Sequence, residues 1–391
     1  MISDHSGRTP YPHHRHPHSR RGGPARTAVR PRSQARPLIL SAGMGAGHDA
    51  AAAELARRMA AAGADVAKVD VLDLLPLRLG RALRGWYMAA MRHTPWLYGL
   101  VYDTFMCSAR APDAQPLVTL ARGRLRRLVS GGGHTHVVST FHLAAQMAGD
   151  LRIRGELTAH STVLITDFAA HRMWLHPGND DYLCPDRRTA ATVAAATGRP
   201  AHAHAPLVSP RFGRRPGDPQ RARAGIGLAD RRPMVLVTAG SWGVGRVEET
   251  ARVIDGRYVP VILCGHNHGL RARLAAARIG VALGWRTDLP DLMAAAHALV
   301  DNAAGLTCRE AFAAGLPVIT HRPIPGHGRD GTRHMAEAGI AIAAHTPADL
   351  LDALDAVAEP ARRRRLTAAA ARLFDQAPAE ALIARCPDAG R

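Results

Sequence analysis

Two short apolar strands, each followed at once by a run of glycines, constrain this chain more than any other feature. The first is Leu38-Ile39-Leu40-Ser41-Ala42, leading into Gly43-Met44-Gly45-Ala46-Gly47-His48; the second is 234–238, leading into Ala239-Gly240-Ser241-Trp242-Gly243-Val244-Gly245. Glycine lets a backbone turn sharply off a strand and lets its amides approach a ligand closely. A helical stretch follows each loop (49–62 and 246–255), and then a further apolar strand (66–71 and 259–264). Strand, turn, helix and strand in that order form a parallel sheet with a crossover helix. The unit occurs twice, so two open α/β sheets are expected in tandem, binding ligands beyond the carboxyl ends of their strands.

Further strands are predicted at 135–140, 162–166, 280–283, 298–300 and 318–320, and helices at 269–278, 288–297 and 307–314. The texture of the chain divides it into a basic tail 1–36, an N-terminal domain 37–205, a C-terminal domain 206–358 and terminal helices 359–391. The tail holds almost no large apolar side chains, so burial cannot offset its ordering entropy and it is expected to be disordered. Its His13, His14, His16 and His18 lack the fixed geometry of a metal site, and a start codon placed too far upstream would account for the segment equally well.

The net charge is +19, of which residues 1–36 carry eight arginines against Asp4, and Lys68 is the one lysine of the chain. Codon bias in a GC-rich genome explains such arginine usage, and attraction to an anionic lipid surface is the functional alternative. No nucleic-acid module accompanies the charge, so no nucleic-acid partner is expected. Five cysteines without a CxxC pair argue for a reducing compartment and against a disulfide or zinc framework. No apolar run is long enough to span a bilayer, and the N-terminus lacks the apolar core of a secretory signal.

The stretch Asp301-Asn302-Ala303-Ala304-Gly305-Leu306-Thr307-Cys308-Arg309-Glu310 has the parts a nucleotide-sugar site needs. Its small-residue turn can bring the amides of Ala304, Gly305, Leu306 and Thr307 to a diphosphate, and the next helix points its positive end at that charge. Glu310, one turn in, can accept hydrogen bonds from a ribose diol. The loop Ile324-Pro325-Gly326-His327-Gly328 follows where a hexose would lie. On the other half, His48 stands at a helix N-terminus beside a glycine turn, where the positive helix end favours neutral imidazole, the form a general base needs. Capping of the helix, or a contact to a lipid phosphate, is the plainer role for His48.

With the segment Thr166-Asp167-Phe168-Ala169-Ala170-His171-Arg172-Met173-Trp174-Leu175-His176-Pro177, these motifs resemble the diacylglycerol glycosyltransferase (monogalactosyldiacylglycerol synthase-like) family. That family has the GT-B fold, two Rossmann-like parallel-sheet domains facing a cleft, and is related to the lipid II N-acetylglucosaminyltransferase. The resemblance covers about residues 37–355. It implies a donor site at Ser241, Trp242, Gly243, Gly265, Asn267, Gly284, Trp285, the 304–307 turn, Glu310, Gly326 and His327. It also implies a catalytic His48 helped by Asp167, and acceptor contacts from Gly45, Gly47, His171 and Trp174, the last of which would otherwise be a buried structural residue. The segment 75–105 carries Trp86, Tyr87, Trp96, Tyr98 and Tyr102 among Arg78, Arg81, Arg84 and Arg92. It matches the family's membrane-contacting region and reads equally as a core helix pair.

Two departures stand out: Ala239 stands where the family usually has an extra glycine, and His327, Gly328 and either Gly331 or Thr332 replace the amide and acid groups with which the family reads the donor sugar. A basic loop of His327, Arg329 and Arg333 would tolerate an acidic sugar. The expected activity is inverting, metal-independent transfer of a hexose from a UDP-sugar, with no other cofactor, to a lipid hydroxyl, diacylglycerol first. The expected location is the cytoplasm, peripheral on the anionic inner face of the membrane. Transfer to a soluble metabolite or a peptidoglycan lipid precursor, and a non-catalytic protein that binds lipid or nucleotide-sugar, are the alternatives.

Overall fold

A computed structural model describes residues 35–108, 115–213 and 217–386; the tail expected to be disordered, 1–36, lies outside them except for Ala35 and Arg36, which are ordered, both bonded to Asp65. The described residues form two six-stranded sheets, every pairing in them parallel. The first comprises β1 (Pro37–Ser41), β2 (Ala67–Asp70), β3 (His136–Ser139), β4 (His160–Leu164), β5 (Asp181–Cys184) and β6 (Ala201–Ala203), in the order β2-β1-β3-β4-β5-β6. The second comprises β7 (Met234–Thr238), β8 (Val259–Leu263), β9 (Val281–Leu283), β10 (Ala298–Asp301), β11 (Val318–His321) and β12 (Ile342–Ala344). Its order, β12-β11-β10-β7-β8-β9, is that of a doubly wound dinucleotide-binding sheet. In both sheets the strand order reverses beside the strand that feeds a glycine loop, β1 or β7, which places both loops at the switch points where ligands bind.

The apolar runs that predicted β1, β3, β7, β8, β10 and β11 are buried on both faces, as expected of strands covered by helices on each side. The sequence did not signal β5, β6 or β12, because Asp-Tyr-Leu-Cys, Ala-His-Ala and Ile-Ala-Ala carry no such run. The glycine/proline stretch after β11 was expected to be a loop through Thr332. Instead the helix His327–Glu337 starts there, capped by Gly326, so His327 is its first residue, and Gly331 and Thr332 are buried within it.

The terminal helices divide between the domains. Leu366 and Ala370 of the helix Pro360–Ala371 join the core of the second sheet, whereas Ala379 and Ile383 pack beside Leu55 and Met59 of the first. The chain therefore crosses from one domain to the other twice. The Ala205 N–H donates to the Ala377 carbonyl at 3.0 Å where the crossings run side by side.

Between the domains lies the aromatic segment, as the helices Leu79–His93 and Pro95–Val101. It divides into two faces. Tyr98 and Tyr102 are 4% and 1% exposed and pack with Met91 against Val244 and Ile324 of the second domain, whereas Trp86 and Trp96 are 44% and 67% exposed. Tyr87 is half-buried, 5.1 Å edge-to-face from Tyr98 and 5.3 Å from Trp242. The expected row of five membrane aromatics is thus corrected: the three tyrosines line the interdomain junction, and only the two tryptophans face outward. Arg84 and Arg92 also turn inward, to Asp70 at 2.6 Å and to the Trp242 carbonyl at 3.3 Å.

Gly326 is the tightest point of this junction. Its φ is +75°, and a Cβ there would stand 2.7 Å from Cγ of Tyr102. Gly326→Ala therefore meets backbone strain and overpacking together, and should lower stability by about 1–3 kcal/mol in urea unfolding.

Candidate active site

A cavity of about 1130 Å³ fills the cleft between the two sheets. The helices Ala46–Ala61 and Leu306–Ala313 aim their N-termini at it from opposite walls. The two glycine loops meet there, where the Ala46 N–H donates to Ser241 Oγ at 3.4 Å, and the two helix N-termini approach each other, since a Cβ on Gly47 would sit 3.7 Å from that of Leu306.

On the first wall, His48 Nδ1 lies 2.7 Å from Thr166 Oγ1, and its ring stands edge-on to Phe141 at 5.3 Å. The partner that orients His48 is therefore Thr166, where Asp167 was expected. The Asp167 carboxylate instead accepts a hydrogen bond from Trp174 Nε1 at 2.9 Å and lies 3.7 Å from His171 Nε2. Burial pushes the Asp167 carboxyl up, but the positive forms of His48, His171 and His327 and the Trp174 bond outweigh it, and its pKa falls to about 2. Burial in turn lowers His171 to about 4 and depresses His327, so at neutral pH the Trp174 N–H remains to hold the charge. Trp174 is fully buried beneath the cavity, so it supports Asp167, and its expected contact with the acceptor is corrected. Gly45, Gly47 and His171 do line the cavity.

On the opposite wall, the 302–305 turn is held by Asp301, whose carboxylate accepts the amides of Ala303 and Ala304 at 2.8 and 2.6 Å. Ala304 adopts the left-handed conformation, with φ 51°. The expected donor residues Ser241, Trp242, Gly265, Gly284, Trp285, Ala304, Gly305, Leu306, Thr307, Glu310 and His327 line the cavity. Gly243, Asn267 and Gly326 do not. Asn267 caps the helix His268–Ala276 and ties down the glycine loop through the Gly243 carbonyl at 2.9 Å, a supporting position where a donor contact was expected. Trp285 stacks on His266 with ring centroids 4.7 Å apart.

His327 meets the cavity from the end of its helix and pairs with the Tyr98 hydroxyl at 2.8 Å. Arg329 instead binds Asp103 at 2.7 Å and Arg333 turns to Asp330 at 3.3 Å, so the expected basic loop does not face the ligand space. Three other cations line the cavity: Arg286, paired with Asp288 at 2.8 Å, Arg211, bonded to the Thr287 carbonyl at 2.8 Å, and Arg309, which lies 4.0 Å over the Phe168 ring and has no hydrogen-bonded carboxylate among the described residues. Burial lowers the pKa of Arg309 to about 10, against the attraction of Asp167. Arg309, Phe168 and His266 were missed as site residues. The spacing of Arg309, on the helix face next to Glu310, was the signal available.

Two open parallel sheets with facing ligand loops define the GT-B glycosyltransferase fold. Within that class, residues 48–201 match the family described as monogalactosyldiacylglycerol (MGDG) synthase. The chain is a homologue of these synthases and of the bacterial diacylglycerol glucosyltransferases. It is 25% identical to the chloroplastic monogalactosyldiacylglycerol synthase of Spinacia oleracea over 83% of this chain and 66% of that one. It is also 25% identical to the processive diacylglycerol beta-glucosyltransferase of Bacillus pumilus over 49% of this chain and 52% of the other. The chain thus spans about half to two thirds of the length of these relatives. Among solved structures, MurG of Acinetobacter baumannii superposes with a TM-score of 0.54 at 14% identity, covering 90% of this chain and 98% of its own. Medicago truncatula UGT71G1 complexed with UDP-glucose does so with a TM-score of 0.54 at 10% identity, covering 88% and 93%. These two likenesses concern the fold.

Glu310 makes the site sensitive to pH. Burial raises its carboxyl to about 7, because no cation lies close enough to offset desolvation. A ligand diol that hydrogen-bonds the ionised form must first drive off a proton below that pH. Affinity for UDP-glucose should therefore be flat above about pH 7 and fall by up to about tenfold per unit below it. Calorimetric titration across pH should show this slope in the wild type and lose it in Glu310→Gln.

Proposed function

We propose that this protein transfers a hexosyl group from a UDP-sugar to the hydroxyl of a diacylglycerol-type lipid, with inversion and without a metal ion in the transfer step. The observation that carries the reading is the placement of His48 and Glu310 on opposite walls of one cavity, between two helix N-termini.

In this mechanism the Ala304–Thr307 amides and the positive end of Leu306–Ala313 take the diphosphate, the role a cation has in other transferases. Glu310 accepts from the ribose, and the Trp285–His266 stack covers the uracil. Arg309 adds positive charge near the leaving group as the bond to the anomeric carbon breaks. When Thr166 Oγ1 accepts from His48 Nδ1–H, Nε2 is left to take the acceptor proton as the hydroxyl oxygen attacks the anomeric carbon. UDP leaves and the configuration inverts, because attack and departure lie on opposite faces of the sugar.

The names of the relatives support a diacylglycerol acceptor, and so do the exposed Trp86, which lines the cavity, and the exposed Trp96 on the next helix. No helix among the described residues is long and apolar enough to cross a membrane. Peripheral attachment through these tryptophans and the flanking Arg78 and Arg81 would bring the cleft to a lipid surface on the cytoplasmic face.

UDP release from a panel of UDP-sugars, with and without diacylglycerol in anionic liposomes, tests the reading. Release should require liposomes, drop by about 10²–10⁴-fold in His48→Ala, and fall in Glu310→Ala through a raised KM. Release that ignores liposomes would move the acceptor to a soluble molecule; UDP binding without release from any donor would reduce the chain to a binding protein.

A further inference from the structure

Away from the cleft, at the amino ends of the first sheet's strands, four side chains converge that no step above uses. His136 opens β3, His160 opens the neighbouring β4 and Asp181 opens β5; Cys386 arrives from beyond the helix Ala379–Ile383. Ligand atoms of His136, His160 and Cys386 all lie within 4.8 Å of one another. The two imidazole rings stand 4.9 Å apart between centroids. One oxygen of Asp181 touches two members of the group, 3.0 Å from His160 Nε2 and 2.9 Å from Cys386 Sγ. Asp180, held by Arg152 at 2.9 Å, lies 3.8 Å from His160 Nδ1 on the side away from Asp181.

From this geometry we propose a structural zinc site formed by His136, His160, Cys386 and Asp181, which fastens the C-terminal segment to the N-terminal domain. Two imidazoles, a thiolate and a carboxylate are the donor set of a closed tetrahedral zinc site rather than a calcium or magnesium site. Around a tetrahedral zinc ion, neighbouring ligand atoms lie about 3.3–3.8 Å apart. The Asp181 oxygen stands slightly closer than that to His160 and Cys386, and the ligand atoms of His136, His160 and Cys386 are within 4.8 Å of one another, so side-chain rotations that bring Asp181 into the group close the shell. On binding, Cys386 gives its thiol proton to solvent and coordinates as thiolate; nothing is oxidised or reduced. Asp180 then stands behind His160 as the carboxylate that orients a ligating imidazole. The residues are far apart in sequence, so no spacing motif announced them. The site is separate from the transfer chemistry and does not depend on it.

Cobalt(II) and zinc added to the metal-free full-length chain test the site. Cobalt should give the near-ultraviolet charge transfer of a thiolate ligand with the strong visible bands of a tetrahedral site, and zinc should displace both. Histidines elsewhere, including the 13–18 run, bind cobalt without the thiolate band. The band should vanish in Cys386→Ser and persist in Cys107→Ser. Zinc should also slow alkylation of Cys386 in the wild type by about tenfold or more relative to chelator, since a ligated thiolate is withdrawn from reaction. No charge transfer at saturating cobalt, a band that survives Cys386→Ser, or equal alkylation rates with and without zinc would each overturn the site.

Discussion

The architecture turns on one partly buried negative charge. Asp167 sits at the end of β4, where the first sheet runs out into the cleft, and both domains gather around it. Trp174 supports it from below, His171 stands beside it, and Arg309 and His327 approach from the other domain. A carboxylate partly withdrawn from water at a cavity wall needs polar neighbours to compensate its lost hydration. The depressed imidazoles around it stay neutral and can hold or pass a proton, while Arg309 balances the charge across the gap. The same arrangement ties the two walls together, with His48 on one and the Ala304–Thr307 turn on the other.

The aromatic segment between the domains shows a second economy of construction. One helix pair uses its inner face to seal the junction and its outer face to present tryptophan to the surroundings. Tyr98 has both functions in one side chain: its ring packs in the junction, and its hydroxyl sets His327 at the cavity wall. Any surface that engages Trp86 and Trp96 is thereby only one helix thickness from the ligand space.

Much of the fold was legible because parallel strands buried on both faces read as unbroken apolar runs, and because glycine loops mark where such strands end. β5, β6 and β12 escaped because a strand of three or four residues with Asp, His or Ala leaves no run to see. Within the site, residues whose role depends on backbone position, such as Gly305 or Ser241, could be placed from local pattern alone. Side chains whose role depends on a partner far along the chain could not. Whether Thr166 or Asp167 meets His48, and whether Trp174 faces ligand or floor, are matters of packing between elements. The helix beginning at His327 was mistaken for loop because Gly326, His327 and Gly328 have weak helical preference; its capping glycine and junction contacts decide the matter.

The double crossing of the chain has a mechanical meaning. The strands near Ala205 and Ala377 are bonded to each other, so the domains are joined along a line and not at a point. Adjacent tethers resist sliding and twisting, and rotation about them must break the contacts that close the cleft, such as Tyr98 with His327 and Asp186 with His334. A substitution near Ala205 or Ala377 would therefore act on how the two domains are joined without touching a single group inside the cleft.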